Sequence, residues 1–520
     1  MIAQAPAEAR RYRERGHPAS TDLVGEVPPW AGPPACANPT GRKDRSMPDF
    51  DLVVIGAGAA GLSTTALSAA LGLRIALIER AEMGGDCLNW GCVPSKALLA
   101  AAHAAAAARH AGRFGVRVSE PEIDWPAVRA HVRGAIARIA PTDSEARFRG
   151  MGVEVIRASA HFTAPDEIEA RGRRLTFRRC VIAAGSSAVV PDIPGLGPVP
   201  WLTNETIFDL EEKPEHLLIL GGGPIGLEMA QAHARLGCRV TVIEAGRIAG
   251  RDDPELAEGL RRVLVREGVT LLEGARLASV EPDRPGLTAV LEDGTRIAGS
   301  HLLLAVGRAP RLKGLDLQAG NIEATPRGIA TDEGLRSLSN RRVWAVGDIA
   351  DPRGIGPRAF THVASQHAGV LARRMLFRLP ARVDYAALPR VTYTGPELAQ
   401  VGMTEAEALE AGLDPRPYRF PLPETDRAVA EGIEDGLVKL VVNPKGRLLG
   451  AGVLGPHAGE MAGVFGLMIG RKLPLSALAG LVLPYPTLAE AAKRAAGDFY
   501  APKFLSTFSK RLVGLLWRLP

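Results

Sequence analysis

An α/β fold organised around two Rossmann-like units is predicted by three features of the sequence. A strand, glycine turn, helix and strand pattern occurs twice, both turns have GxGxxG spacing, and both second strands end in glutamate, 23 residues after the first glycine of the turn. The first copy begins FDLVVIG, carries Gly56, Gly58 and Gly61 in its turn, and closes with RIALIE at Glu79. The second begins HLLILG, carries Gly221, Gly223 and Gly226, and closes with RVTVIE at Glu244. Phosphate explains the pattern. The first glycine allows a tight turn, the second lets a pyrophosphate reach the backbone, and the helix N-terminus offers amide donors and a favourable dipole. The terminal glutamate can accept hydrogen bonds from ribose hydroxyls. A single such turn is weak grounds, because glycine turns also occur in ordinary α/β cores; two in matching context imply two dinucleotides.

The 520 residues are 46% apolar and 23% charged, enough chain for two to four domains. Residues 1–46, with Pro28, Pro29, Pro33 and Pro34 among scattered charges, are expected to be a disordered extension without a secretory signal, and Met47 is a candidate start. No apolar run reaches the ~18 residues a spanning helix needs, so a cytoplasmic protein is expected. Five cysteines in so long a chain argue against a secreted disulfide framework, and any disulfide is expected to be catalytic. Residues 493–520 hold six basic residues against Asp498, which is +5 of the formal +6. The rest of the chain is nearly neutral, unlike a nucleic-acid-binding face.

Four residues separate Cys87 from Cys92 in GGDCLNWGCVPSK, residues 84–96. In a regular helix that interval rises ~7.5 Å, more than the ~4.4–6.8 Å a disulfide tolerates between Cα atoms, so the backbone there must be irregular. Gly91 can supply the distortion, and Pro94 marks the first turn of a helix beginning just after Cys92. A helix N-terminus favours the Cys92 thiolate, the form that reacts with a flavin or a disulfide. Two buried cysteines that happen to be close is the competing reading, weakened by the two dinucleotide units. Cys36, Cys180 and Cys238 receive no role, and no metal site is implied.

From about residue 48 to 500 the chain resembles the pyridine nucleotide-disulfide oxidoreductases, the family of dihydrolipoamide dehydrogenase, glutathione reductase and mercuric reductase. GGDCLNWGCVPSK is similar to the family's redox-active disulfide motif. AAGSSAVVPDIPG, with Gly185, resembles the segment closing the first FAD stretch, although Ala184 stands where threonine is common; VWAVGD resembles the second FAD motif and assigns Asp348 to the ribityl chain. AVGRAP, with Gly307, resembles the return from the nicotinamide domain. The resemblance implies FAD in the first unit and a nicotinamide cofactor in the second, with Lys96 and Glu228 paired beside the flavin ring and Pro224 where some members carry a gating aromatic. Cys92 would contact the flavin and Cys87 would meet the substrate. Glu244 favours NAD over NADP, while Arg247 and Arg251 leave NADP open.

The implied domains are FAD-binding at 47–200 and 316–385, NAD(P)-binding at 201–315, a C-terminal α/β dimerisation domain at 386–500, and a basic tail at 501–520. A homodimer is implied, with the substrate site completed by a partner-chain HPTxxE segment in which histidine is the acid-base group. Here that segment begins at Tyr485 and ends at Glu490. Tyrosine titrates near ~10 and is a poor base at neutral pH, which disfavours lipoamide exchange. Mercuric reductases also carry tyrosine there, but no cysteine follows Cys238 to match their C-terminal pair. The resulting expectation is electron flow from NADH through FAD to the cysteine pair, and on to a small disulfide or metal-ion acceptor as in mercuric reductase. Dihydrolipoamide dehydrogenase is the alternative, and a non-catalytic redox sensor the alternative of a different class. His362 and His457 are read as packed or solvated. In the tail, Leu505, Phe508, Leu512, Leu515, Leu516 and Leu519 recur near helical spacing, which predicts an amphipathic helix, either in peripheral contact with a membrane or, the favoured reading, docked on the dimer or frayed.

Overall fold

The computed structural model describes residues 47–519. The expected extension 1–46, with Cys36, lies outside the described residues. Both predicted units form as expected, each at the centre of a run of parallel strands, the first sheet being extended by two antiparallel strands. In the first, Phe50–Ile55 lies between Ile75–Glu79 and Arg173–Ile182, so that Val53 faces both Ala76 and Cys180. Glu154–Arg157 extends one edge, and Val343–Ala345 returns from far along the chain to pair with Arg173–Ile182. The strands are apolar at successive positions, as a sheet covered on both faces requires, and Leu52, Val53, Val54, Leu77 and Val181 are fully buried.

The second sheet runs Thr270–Glu273, Arg239–Glu244, His216–Leu220, His301–Leu304 and Trp201–Leu202, all parallel. The chain leaves the first unit and comes back to it through a two-stranded antiparallel ribbon, Ser186–Ala188 against Arg308–Pro310. That ribbon fixes the glycine turn of one unit relative to the other.

A five-stranded antiparallel sheet follows, ordered Pro389–Thr392, Glu397–Gly402, Leu448–Gly455, Leu437–Val442 and Arg416–Pro421. Helices Ala458–Gly470 and Glu490–Phe504 contribute Phe465, Met468, Ala491, Ala495 and Phe499 to its core. Buried Lys439 ties this sheet to the second unit, reaching Asp253 at 2.8 Å, Glu255 at 3.1 Å and Glu405 at 2.9 Å. Burial opposes its charge, but the three carboxylates outweigh that cost and raise its pKa. Beyond it, Ser506 accepts a hydrogen bond from the Ser509 amide and caps a last helix, Thr507–Leu516, none of whose residues is buried.

Candidate active site

Each glycine turn is built by close contact. Gly56 has φ +107°, and a Cβ there would lie 2.4 Å from the Ala183 carbonyl oxygen; a Cβ on Gly61 would lie 1.8 Å from the Gly56 oxygen. Gly221 and Gly226 repeat both constraints against Ala305 and Gly221. Gly58 and Gly223 precede helices Ala59–Ala70 and Pro224–Arg235 and line the cavity, so each helix N-terminus offers amides to a phosphate. Glu79 accepts from the Ala57 and Ala81 amides at 2.6 and 2.7 Å, and Glu244 accepts from those of Gly222 and Gly246, both at 2.7 Å. Both carboxylates are thereby held at the cavity wall where a ribose would arrive.

One cavity of ≈ 2480 Å³ takes in both turns, both glutamates and the cysteine pair. Single small-molecule pockets hold roughly 300–1,000 Å³, so the volume suits two dinucleotides placed end to end. Gly185, Gly307 and Asp348 also line it. Tyr485 and Glu490 do not, and lie on the C-terminal domain instead.

Around the cysteines the chain is irregular, as the spacing requires. A short helix, Gly85–Asn89, stops at Trp90, and a new one, Cys92–His110, starts at Cys92 itself. A Cβ on Gly91 would come within 3.0 Å of the Asp86 carbonyl and carboxylate oxygens, so glycine is what permits so tight a passage. Both cysteines are thiols, Cys87 half-buried and Cys92 exposed to the cavity. Their environments divide them. The hydrogen bond from Cys87 holds Cys92 at about 6, aided by the Thr361 hydroxyl and the Lys96 charge and opposed by burial and Asp86. The same hydrogen bond, with burial, pushes Cys87 strongly upward. Cys92 is therefore the thiolate at neutral pH. Buried Cys180 and Cys238 are raised by desolvation, Cys238 to about 12, and are inert thiols.

The Lys96 ammonium pairs with Glu228 Oε2 at 2.7 Å. Glu228 is 5% exposed, and its second oxygen accepts from the Tyr393 amide at 3.0 Å. The same ammonium sits 4.4 Å from the centre of the Tyr393 ring. Asp348 is half-buried, its pKa is raised by desolvation, and it accepts from the Ser186 hydroxyl at 2.6 Å. Ser186 in turn accepts from Arg308 Nε at 2.8 Å, and the Arg308 guanidinium reaches Asp86 at 3.0 Å. Asn204 also donates to Asp86, at 3.0 Å. This chain of contacts joins the second expected FAD motif, the interdomain ribbon and the residue preceding Cys87.

Four contributors had not been singled out from sequence: Thr361, whose hydroxyl lies 3.3 Å from Cys92 Sγ, and Asp86, Ser186 and Arg308. Asp86, Ser186 and Arg308 lie inside the motifs quoted above, and Thr361 lies outside them. His362 next to Thr361 donates to the Pro389 carbonyl and stacks on Phe360, and His457 is exposed at the start of a helix; neither gains a catalytic partner. Arg247 and Arg251 are exposed beside Glu244, without an ion-pair partner among the described residues. Tyr485 donates to Asp426 at 2.6 Å rather than to Glu490, whose Oε2 is buried without a partner. That hydrogen bond is the largest contribution to raising the phenol's pKa.

Because Asp86 opposes both thiolates, its neutralisation by Arg308 matters to Cys92. Arg308→Leu is expected to move the alkylation midpoint of Cys92 to higher pH, and Arg308→Lys to move it less. Iodoacetamide labelling followed by mass spectrometry checks this, and an unchanged midpoint in Arg308→Leu would remove Arg308 from the electrostatics of the pair.

Comparison with known proteins agrees with this geometry. Residues 50–376 match the family model described as pyridine nucleotide-disulphide oxidoreductase, and residues 388–496 match its dimerisation domain. The chain is 38% identical to a mercuric reductase of Streptomyces lividans over 86% of its own length and 96% of the relative's. It is 35% identical to a dihydrolipoyl dehydrogenase of Thermus scotoductus over 86% and 97% of the two chains. Among solved structures, the HOCl-induced flavoprotein disulfide reductase RclA of Escherichia coli superposes with a TM-score of 0.78 at 26% identity, covering 86% of this chain and 99% of that one. A glycine-cradled pair of dinucleotide sites converging on two thiols, with a dimerisation domain behind them, is the family's arrangement, and the chain belongs to the pyridine nucleotide-disulphide oxidoreductases, FAD-dependent enzymes that use a pyridine nucleotide.

Proposed function

We propose that this enzyme passes electrons from NADH to a metal ion, as mercuric reductases do, and that Cys87 is the thiol that meets the substrate. The observation that carries this reading is Tyr485. Its hydroxyl donates to Asp426 and its pKa is raised, which makes it a poor substitute for the histidine base that dithiol exchange with lipoamide uses. A soft metal ion needs thiolate ligands rather than a proton acceptor, and Cys92 is already ionised near neutral pH. The identity to the Streptomyces lividans mercuric reductase, and the existence of RclA as a Cu(II) complex, support a metal ion as acceptor.

FAD would supply two-electron transfer from the nicotinamide to the Cys87–Cys92 pair in its disulfide form, and the dithiol so made carries the two electrons that reduce Hg(II) to Hg(0) as the pair returns to the disulfide. In this assignment the FAD domain comprises 47–200 and 316–385, with Gly56, Gly58, Glu79, Gly185 and Asp348 as its contacts, and Gly61 closing the helix onto the turn. The NAD(P) domain comprises 201–315, with Gly221, Gly223, Glu244 and Gly307 as contacts and Gly226 in the place of Gly61. The Glu244 carboxylate, fixed by two amides, disfavours the extra phosphate of NADP, so NADH is the assigned donor. Lys96 holds positive charge at the cavity wall beside Cys92, and Glu228 fixes Lys96. The interface domain, 386–500, makes a homodimer in which Tyr485 and Glu490 face the partner's cysteines. A cytoplasmic setting follows, since it keeps thiols reduced.

The test is oxidation of NADH, with NADPH in parallel, by the FAD-loaded enzyme given Hg(II) with excess small thiol or oxidised lipoamide. Rapid mercury-dependent oxidation with NADH preferred is expected. Faster turnover with lipoamide would overturn the reading in favour of dihydrolipoamide dehydrogenase. Absence of turnover with either acceptor, together with a redox-dependent protein partner, would favour the sensor.

A further inference from the structure

The last helix has no counterpart in the redox machinery. It is well formed, with the Ser506 cap closing its first turn and the Ser509 hydroxyl donating to the Lys503 carbonyl at 2.9 Å. Nothing among the described residues buries its apolar side chains. Phe508 is 74% exposed and Trp517, just beyond the helix, 87%, and Leu512, Val513, Leu515 and Leu516 are exposed as well. At 100° per residue Phe508, Leu512, Leu515 and Leu516 fall within one 100° sector, Lys510 and Gly514 fall on the far side, and Arg511 flanks the apolar sector. An isolated helix of ten residues is marginal in water, so a surface beyond the described residues must cover that face.

We propose that the segment 505–519 is a peripheral anchor that lies in the surface of an anionic lipid bilayer. The charge pattern selects this occupant. No acidic residue follows Asp498, whereas Lys503, Lys510, Arg511 and Arg518 do. A helix with an apolar face, cations but no carboxylates on its remaining surface, and a tryptophan at its end matches the headgroup boundary of an anionic membrane, with the apolar side chains in the acyl region and the cations among lipid phosphates. A second copy of this tail offers no carboxylates to those cations. Among the described residues no helix is long and apolar enough to cross a membrane, so the contact is one of lying on the surface. The redox domains would then be held near a membrane, with the cavity and the cysteine pair untouched.

The test is flotation of the full-length FAD-loaded protein with vesicles of phosphatidylglycerol and phosphatidylethanolamine, beside vesicles of phosphatidylcholine alone, with sedimentation to report oligomeric state. Flotation is expected with the anionic vesicles only, weakened roughly ten- to a hundredfold by Lys510→Glu with Arg511→Glu and by 0.5 M salt. Leu512→Asp with Leu515→Asp should abolish it while leaving NADH oxidation and the dimer unchanged. Three results would overturn the proposal: equal flotation with phosphatidylcholine, no flotation with either vesicle, or dissociation of the dimer by the leucine substitutions, which would mean that a second copy covers the face.

Discussion

Replacing Cys87 with serine is expected to lower turnover with any acceptor on the order of 1,000-fold or more, while reduction of the bound flavin by NADH continues. The expectation comes from the division of the pair. Cys92 is the depressed thiol beside Lys96 and Thr361, and Cys87 is the raised thiol that donates to it. In the proposed assignment, removing the donor sulfur removes the group that meets the substrate, not the group that faces the cofactor. A serine hydroxyl can still donate to Cys92, so the alkylation midpoint of Cys92 should stay near 6 in Cys87→Ser and rise in Cys87→Ala, where the largest stabilising contact is lost. The sign is fixed by the direction of the shift: labelling rises with pH through the depressed value, and a raised value moves the whole curve to higher pH. Loss of flavin reduction in Cys87→Ser would reverse the roles of the two cysteines.

The second large effect is expected at Lys96. Lys96→Met leaves Glu228 buried, with one oxygen on the Tyr393 amide and the other with no partner. Removing one partner of a buried pair costs about 3–5 kcal/mol, and because Lys96 is partly exposed the lower end applies. Flavin reduction should slow on the order of 100-fold, since a fixed positive charge beside the reacting centre is lost. The Cys92 midpoint should rise too, because Lys96 is among the groups that depress it. Adding Glu228→Leu should restore much of the stability by removing the orphaned carboxylate, but not the rate. Urea denaturation and stopped-flow absorbance separate the two readouts. A double variant as unstable as Lys96→Met alone would mean that packing around Glu228, not its charge, carries the effect.

Much of this protein was legible in its sequence because the relevant signals are local. A glycine turn, its two strands and the closing glutamate occupy about thirty contiguous residues, and their spacing is dictated by one phosphate and one ribose. The irregular backbone at Cys87 and Cys92 followed from disulfide geometry alone, and the structure realises it as two helices meeting at Gly91. The assignment of Lys96 to Glu228 came from family resemblance, since nothing in periodicity links residues 132 positions apart.

The long-range contacts were decided by the tertiary structure. Thr361 reaches Cys92 across 269 positions because Val343–Ala345 pairs with Arg173–Ile182 and carries the following helix back over the first unit. Arg308 meets Ser186 and Asp86 because the ribbon that closes the second unit runs antiparallel to the strand that opens it. Asp426 takes the Tyr485 hydroxyl across 59 positions, a contact that no local pattern announces. The tail's periodicity predicted its helix, but only the fold showed its apolar face left uncovered by the described residues. Sequence determines where the chain can turn, pair and bind phosphate, because those choices are settled within a few residues; which distant side chains then share a charge or a proton depends on how the finished sheets are placed against one another.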